Sequence, residues 1–206
     1  MKLLIGVPSL DFVHVEFLKS LHALTEHLHH EGVRFELFIC NGTLAHVARE
    51  HVANHAINGD FTHVLWLDAD MVFPETILED LQFCGKSFVT GIAASRRPPF
   101  TLCIFSDLDL NHLTRVEQLP SEAFRVAGCG FACVLIETAI MKDVLMNNHT
   151  MFLPMQYYGE DLAFCKRASE LGYEIWAEPS ARLGHIGHNA VWPEDHEKYM
   201  EQLSKG

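Results

Sequence analysis

Hydrophobic and polar positions along the chain alternate between two periods. Leu3–Val7 is a short apolar run closed by Pro8-Ser9-Leu10-Asp11, the pattern of a buried strand running into a loop. Phe17, Leu21, Leu24 and Leu28 then recur at helical spacing, and Gly32 closes that helix. Phe35–Ile39 reads as a second strand and Asn41-Gly42 as a turn. Leu44, Val47 and Ala48 open a second helical stripe that runs to about Asn58. His63–Leu67 is a third strand, carrying Asp68-Ala69-Asp70 at its carboxyl end, and Phe88–Gly91 is a fourth. Strand–helix alternation with short connections predicts an α/β fold with a central, mostly parallel sheet. Ligands of such sheets sit outside the carboxyl ends of the strands.

The second half has a different texture. Thr101–Phe105, Leu113–Gln118 and Phe124–Ala127 are short apolar runs with polar breaks, which predicts a small antiparallel excursion. Gly128-Cys129-Gly130 is a bend that lets backbone approach something closely. Phe131–Ile136 leads into a helix over residues 137–146. Glu160-Asp161 opens another helix through Phe164, Cys165, Ala168 and Leu171, closed by Gly172. Tyr173–Ala177 is a last strand and Glu194–Leu203 a terminal helix. With no internal repeat or linker, residues 1–206 read as a single domain with a C-terminal tail over about 189–206.

Composition narrows the classes. The 206 residues are 49% hydrophobic and 20% charged, an ordinary globular balance that excludes intrinsic disorder. Fifteen Lys+Arg against 27 Asp+Glu give a net charge of −12, which argues against a phosphate backbone as the main partner. The six cysteines form no Cys-x-x-Cys pair and read as small core residues of a reducing, cytoplasmic compartment. No apolar run approaches a membrane span. Of the 14 histidines, His22, His27, His29 and His30 fall on the first helix and read as solvent-facing.

Candidate chemistry concentrates at three places. Asp68 and Asp70 stand at i and i+2 on what reads as an extended segment, so they share a face and suit a hard cation. Their frame, Leu65-Trp66-Leu67 before and Met71-Val72-Phe73 after, makes unpaired charge costly there. Asp107-Leu108-Asp109 has the same spacing among polar residues, before Asn111, and reads as a solvated turn, so the frame carries more weight than the pattern. Glu160-Asp161 at a helix start reads either as a complement to the helix dipole or as a general base beside a hydroxyl-binding carboxylate. Gly184-His185-Ile186-Gly187-His188 places two imidazoles between glycines, where histidine serves equally as a metal ligand or as a structural residue.

Four motifs in order carry a family resemblance across Leu4 to about His188. They are a strand ending in Asp-x-Asp, then Gly-x-Gly, then Tyr158-Gly159-Glu160-Asp161 continuing through Phe164-Cys165 and Arg167-Ala168, then Gly-His-Ile-Gly. This order resembles the GT-A-fold glycosyltransferases, closest to family-2-like enzymes of bacterial and phage type. The resemblance implies a nucleotide-diphospho-sugar transferase with a Rossmann-like single domain. It implies a divalent cation, Mn2+ or Mg2+, on Asp68, Asp70 and His185, bridging the diphosphate of a UDP-linked sugar donor. It also implies donor contacts from Pro8, Ser9, Arg49, Asp68, Gly128 and Gly130, and an acceptor site at Glu160 and Asp161, with Asp161 the base of inverting members. The family usually follows the donor-side arginine with Asn, where this chain has Glu50. The implied acceptor is a glycan, a protein or modified DNA.

Arg96 and Arg97 read equally as phosphate contacts or as a solvated loop, and Trp192 equally as a sugar-stacking or a packing residue. Three alternatives stay open. A nucleotidyltransferase would show a Gly-rich basic loop after the first strand, and 7–11 has neither glycine nor lysine. A metal-dependent hydrolase would use Asp68, Asp70, His185 and His188, and a sugar-binding module would keep the fold without catalysis.

Overall fold

A computed structural model describes residues 1–109, 112–187 and 190–205. His188 and Asn111 lie outside the described residues. Strands β1 (Leu3–Pro8), β2 (Phe35–Cys40) and β3 (His63–Leu67) alternate with helices α1 (Val15–His30) and α2 (Ala45–Asn58). β4 (Met71–Val72), α3 (Ile77–Phe83) and β5 (Phe88–Ile92) follow, then β6 (Ile104–Asp109), β7 (His112–Arg115), β8 (Phe124–Val126) and β9 (Gly128–Cys129). β10 (Cys133–Glu137), α4 (Thr138–Asn148), α5 (Glu160–Glu170), β11 (Ile175–Arg182), β12 (Gly184–Ile186), β13 (Ala190–Val191) and α6 (Pro193–Ser204) complete the described order.

The central sheet has seven strands in the order β2-β1-β3-β10-β5-β11-β8. β2, β1, β3, β5 and β11 run one way; β10 and β8 oppose them. Both faces are covered, so the central strands are continuously apolar and successive side chains go to opposite sides. Leu3, Ile5 and Val7 of β1, with Leu65 and Leu67 of β3, pack against Phe17, Leu21, Leu24 and Leu28 of α1 and Ile77 and Leu81 of α3. Leu4, Val64 and Trp66 face Val52, Ala53 and Ala56 of α2, and Ile140, Met141 and Val144 of α4. On that side Trp66, Phe131, Phe152 and Phe164 form an aromatic knot, with Phe152 and Phe164 stacked at 4.7 Å.

Several expected elements land elsewhere. The expected strand over 101–105 begins only at Ile104, and the one over 113–118 ends at Arg115. The run at 124–127 joins the edge of the main sheet as β8 instead of the antiparallel excursion. The excursion is the three-stranded sheet β7-β6-β9, and β4, β12 and β13 form another. The C-terminal stretch is docked: Arg182 pairs with Glu194 at 2.6 Å and Glu197 at 3.2 Å, and His196 is buried. Trp192 covers Gly184, where a Cβ would stand 2.8 Å from the indole, so packing accounts for this residue. His22, His29 and His30 are exposed as expected, whereas His27 bonds to Glu79 of α3 at 2.9 Å. All six cysteines are free; Cys129, Cys133 and Cys165 are buried as expected of core thiols, whereas Cys40, Cys84 and Cys103 are half-buried, and burial pushes the Cys103 thiol up to about 11.

Candidate functional site

The chain turns from β1 through α1 to β2 on one side and reaches β3 on the other, so the sheet's direction of growth reverses at β1. A crevice opens at such a reversal, outside the strand carboxyl ends. Here it is a cavity of about 390 Å³ lined by Pro8, Ser9, Arg49, Asp68, Asp70 and Glu160, with Phe12 exposed at its edge. Six expected donor, metal or acceptor residues from four separate segments therefore meet at one place. The 8–14 loop is held by Ser9 Oγ donating to Phe12 O at 3.2 Å and Gly42 N donating to Leu10 O at 2.7 Å.

Arg49 is the centre of the arrangement. It lies on the second turn of α2 and is only 4% exposed, with its guanidinium 5.2 Å from the Phe131 ring and 5.9 Å from Trp66. Nη2 donates to Asp68 Oδ1 at 2.8 Å, and Nε stands 3.6 Å from Glu160 Oε1. Nε and Nη1 are buried without a hydrogen-bond partner among the described residues. Burial opposes the charge of Arg49, but Asp68, Glu160 and Asp161 outweigh it and hold its pKa above the ordinary value. The converse holds for the carboxylates, because one guanidinium serves three of them. Burial pushes Asp68 above the usual carboxylate range, and Arg49 offsets only part of this. Asp161 is also raised, by burial first and by Glu160 and Asp68 in addition, against the Leu162 N–H and Arg49.

Asp68 and Asp70 do not stand on an extended segment. β3 ends at Leu67, and 68–71 is a turn closed by Met71 N–H donating to Asp68 O at 3.2 Å. In a turn the i, i+2 rule of strands no longer applies, and the two carboxylates find different partners. Asp68 goes to Arg49. Asp70 Oδ2 meets His185 Nε2 at 3.3 Å and Arg96 Nη1 at 3.1 Å. Burial works to raise Asp70, but His185 and Arg96 prevail and its pKa is lowered. His185 stands on β12 and is oriented by Nδ1 donating to Ala94 O at 2.9 Å, which turns Nε2 toward Asp70.

Among the described residues, no group of three or more His, Cys, Asp and Glu side chains is assembled as a metal cage. The donor chemistry nonetheless fits a divalent cation. Four carboxylates, Asp68, Asp70, Glu160 and Asp161, gather around two guanidiniums, leaving excess negative charge. The Nδ1 bond to a carbonyl also presents Nε2 beside a carboxylate, the orientation a metal-binding imidazole needs.

Asp161 accepts from Leu162 N at 2.7 Å and adjoins Gly130, where a Cβ would stand 3.5 Å from Oδ2. Asp161, Gly130 and Gly128 stand outside the cavity lining, and Gly128 serves core packing, since a Cβ there would meet Leu108 at 3.0 Å and Leu162 at 3.2 Å. Asp107 lies on the β6–β7 hairpin, away from the cavity lining. Glu50 carries a task the sequence did not suggest. Its Oε1 accepts from Met151 N and Phe152 N at 2.7 Å each, and from Thr150 Oγ1. It thereby ties α2 to the segment that precedes α5. No local pattern announces a partner about 100 residues away.

No family model matches the chain, and no curated protein matches it by sequence. Among solved structures, it is similar to A197 from STIV, with TM-score 0.66 and 18% identity over 95% of this chain and 92% of that one. It is also similar to the catalytic domain of Drosophila β1,4-galactosyltransferase 7, in complex with xylobiose, with TM-score 0.52 and 14% identity over 86% of this chain. It spans 64% of that galactosyltransferase chain. The chain therefore has a GT-A-like α/β fold, as the order of its motifs leads one to expect.

Proposed function

We propose that the chain is one glycosyltransferase domain that moves a sugar from a UDP-linked donor to an acceptor hydroxyl. The observation that carries this reading is the buried Arg49, which lines the cavity and whose Nη1 has no hydrogen-bond partner among the described residues. A guanidinium with free N–H groups suits a phosphate, which takes its fork of donors better than any neutral ligand. Pro8 and Ser9 border the part of the cavity that would receive the base. Asp70 and His185, with Asp68 beside them, would hold Mn2+ or Mg2+. Bound there, the ion would offset the charge that grows on the departing diphosphate.

Asp161 takes the proton of the acceptor hydroxyl as its oxygen bonds to the anomeric carbon and the bond to the phosphate oxygen breaks. A carboxylate raised by burial is the stronger base for that step. Glu160 steadies Arg49 and borders the acceptor side, and Gly130 leaves room beside Asp161. The xylobiose held by the Drosophila enzyme supports a glycan as acceptor over a protein or modified DNA.

The test is incubation with UDP-, GDP- and dTDP-linked sugars and manganese, with release of nucleoside diphosphate measured. Release from a UDP-sugar that accelerates with a glycan acceptor is the expected result. Pyrophosphate made from a nucleoside triphosphate and a sugar phosphate, with no diphosphate release, would assign the cleft to a nucleotidyltransferase instead.

A further inference from the structure

We propose that a second cavity, between segment 99–102, strand β7 and helix α6, binds a neutral, hydroxyl-rich ligand of the saccharide class. It measures about 400 Å³, within the range of small-molecule sites, and shares no lining residue with the cleft, so it does not rest on the reading of that cleft.

The proposal turns on His196, which lines the cavity and is 4% exposed. Its Nε2 lies 2.9 Å from Glu117 O. A carbonyl only accepts, so Nε2 carries the hydrogen, and in the neutral ring Nδ1 is left with a lone pair. Nδ1 is buried and has no hydrogen-bond partner among the described residues. A buried acceptor without a donor is destabilising, and a ligand hydroxyl would satisfy it.

The other lining groups select the class. Thr101 and Thr114 bring hydroxyls, which both donate and accept. Arg115 is already committed, donating to Leu102 O at 2.8 Å while lying 4.5 Å over the Phe105 ring, and Glu117 stands nearby. That balance disfavours an anion. Leu102, Leu113 and Met200 supply apolar surface, which suits the C–H face of a sugar ring.

The full chain is titrated with xylose, galactose, N-acetylglucosamine and xylobiose, while the His196 ring nitrogens are followed by NMR. Saturable binding that moves the Nδ1 resonance is expected for at least one sugar. His196→Leu removes the Nδ1 acceptor and puts no other in its place, and Thr114→Val removes a hydroxyl at nearly constant volume. Each should weaken binding by about tenfold. Asp161→Asn should leave this binding unchanged, which separates it from acceptor binding in the cleft. The proposal fails if no sugar moves Nδ1 in the parent, or if His196→Leu binds as the parent does. It fails equally if propylammonium displaces the sugar at similar concentration, which would assign the cavity to cations.

Discussion

Replacing Arg49 by methionine tests the electrostatic core of the site, because methionine keeps much of the apolar contact with Phe131 and Trp66 and removes the charge together with its hydrogen bond to Asp68. Breaking a buried ion pair from one side costs about 3–5 kcal/mol, since the remaining charge is left uncompensated. The Asp68 side chain is 31% exposed, so water recovers part of that loss, and about 2–4 kcal/mol remains. In a chain of 206 residues each kcal/mol moves Tm by roughly 2–4 °C, so the variant should melt roughly 5–15 °C lower at neutral pH. The pH dependence distinguishes charge from packing. Asp68 and Asp161 already sit above the ordinary 3.8, and without the guanidinium they rise further. A carboxylate raised on folding binds protons more tightly in the folded state, so its effect on stability improves as pH falls and worsens as pH rises through the folded pKa. The gap between variant and parent should therefore be widest at neutral pH and above, and narrow as the pH falls toward the ordinary carboxylate value of 3.8. Scanning calorimetry across that range decides it. A gap that stays constant with pH would show that Arg49 contributes packing alone and that the carboxylates do not depend on it.

Asp161→Asn should cost only about 0.5 kcal/mol, because the amide oxygen still accepts from Leu162 N–H, yet it should slow transfer by about 10²–10⁴. The acid limb of the parent's rate profile should lie above the ordinary 3.8, since burial raises this group; a limb at or below that value removes Asp161 as the base. Manganese binding, followed by calorimetric titration without donor, should weaken more in Asp70→Asn and His185→Ala than in Asp68→Asn, and not at all in Asp107→Asn. Equal losses from Asp68 and Asp70 would mean that the turn reorganises before the ion binds. Glu50→Ala strands two backbone N–H groups, at Met151 and at Phe152 in the aromatic knot, and should cost about 2–5 kcal/mol in a urea melt. A loss under about 1 kcal/mol would mean that water replaces the carboxylate.

What the sequence determined by itself is what local pattern encodes. Continuous apolar runs such as Leu3–Val7 and His63–Leu67 specify strands buried on both faces, and the spacing of Phe17, Leu21, Leu24 and Leu28 specifies one helix stripe. Both follow from the geometry of a few consecutive residues. The frame around Asp68 and Asp70 also singled out the acidic segment that lines the cavity, over the polar control at Asp107. Tertiary structure decided everything that depends on a distant partner. β10 enters the sheet antiparallel between β3 and β5, because strand order is set by nonlocal pairing and leaves no mark on an apolar run. The turn at 68–71 parts two carboxylates that a strand would have aligned, and sends one to Arg49 and the other to His185 and Arg96. Glu50 reaches across to Met151 and Phe152, and His196 acquires its buried, half-satisfied imidazole only where α6 docks beside Glu117. Charge pairing and burial are properties of assembled neighbours, so the chain alone singled out the acidic segment that borders the cavity, and the fold assigned each side chain its partner.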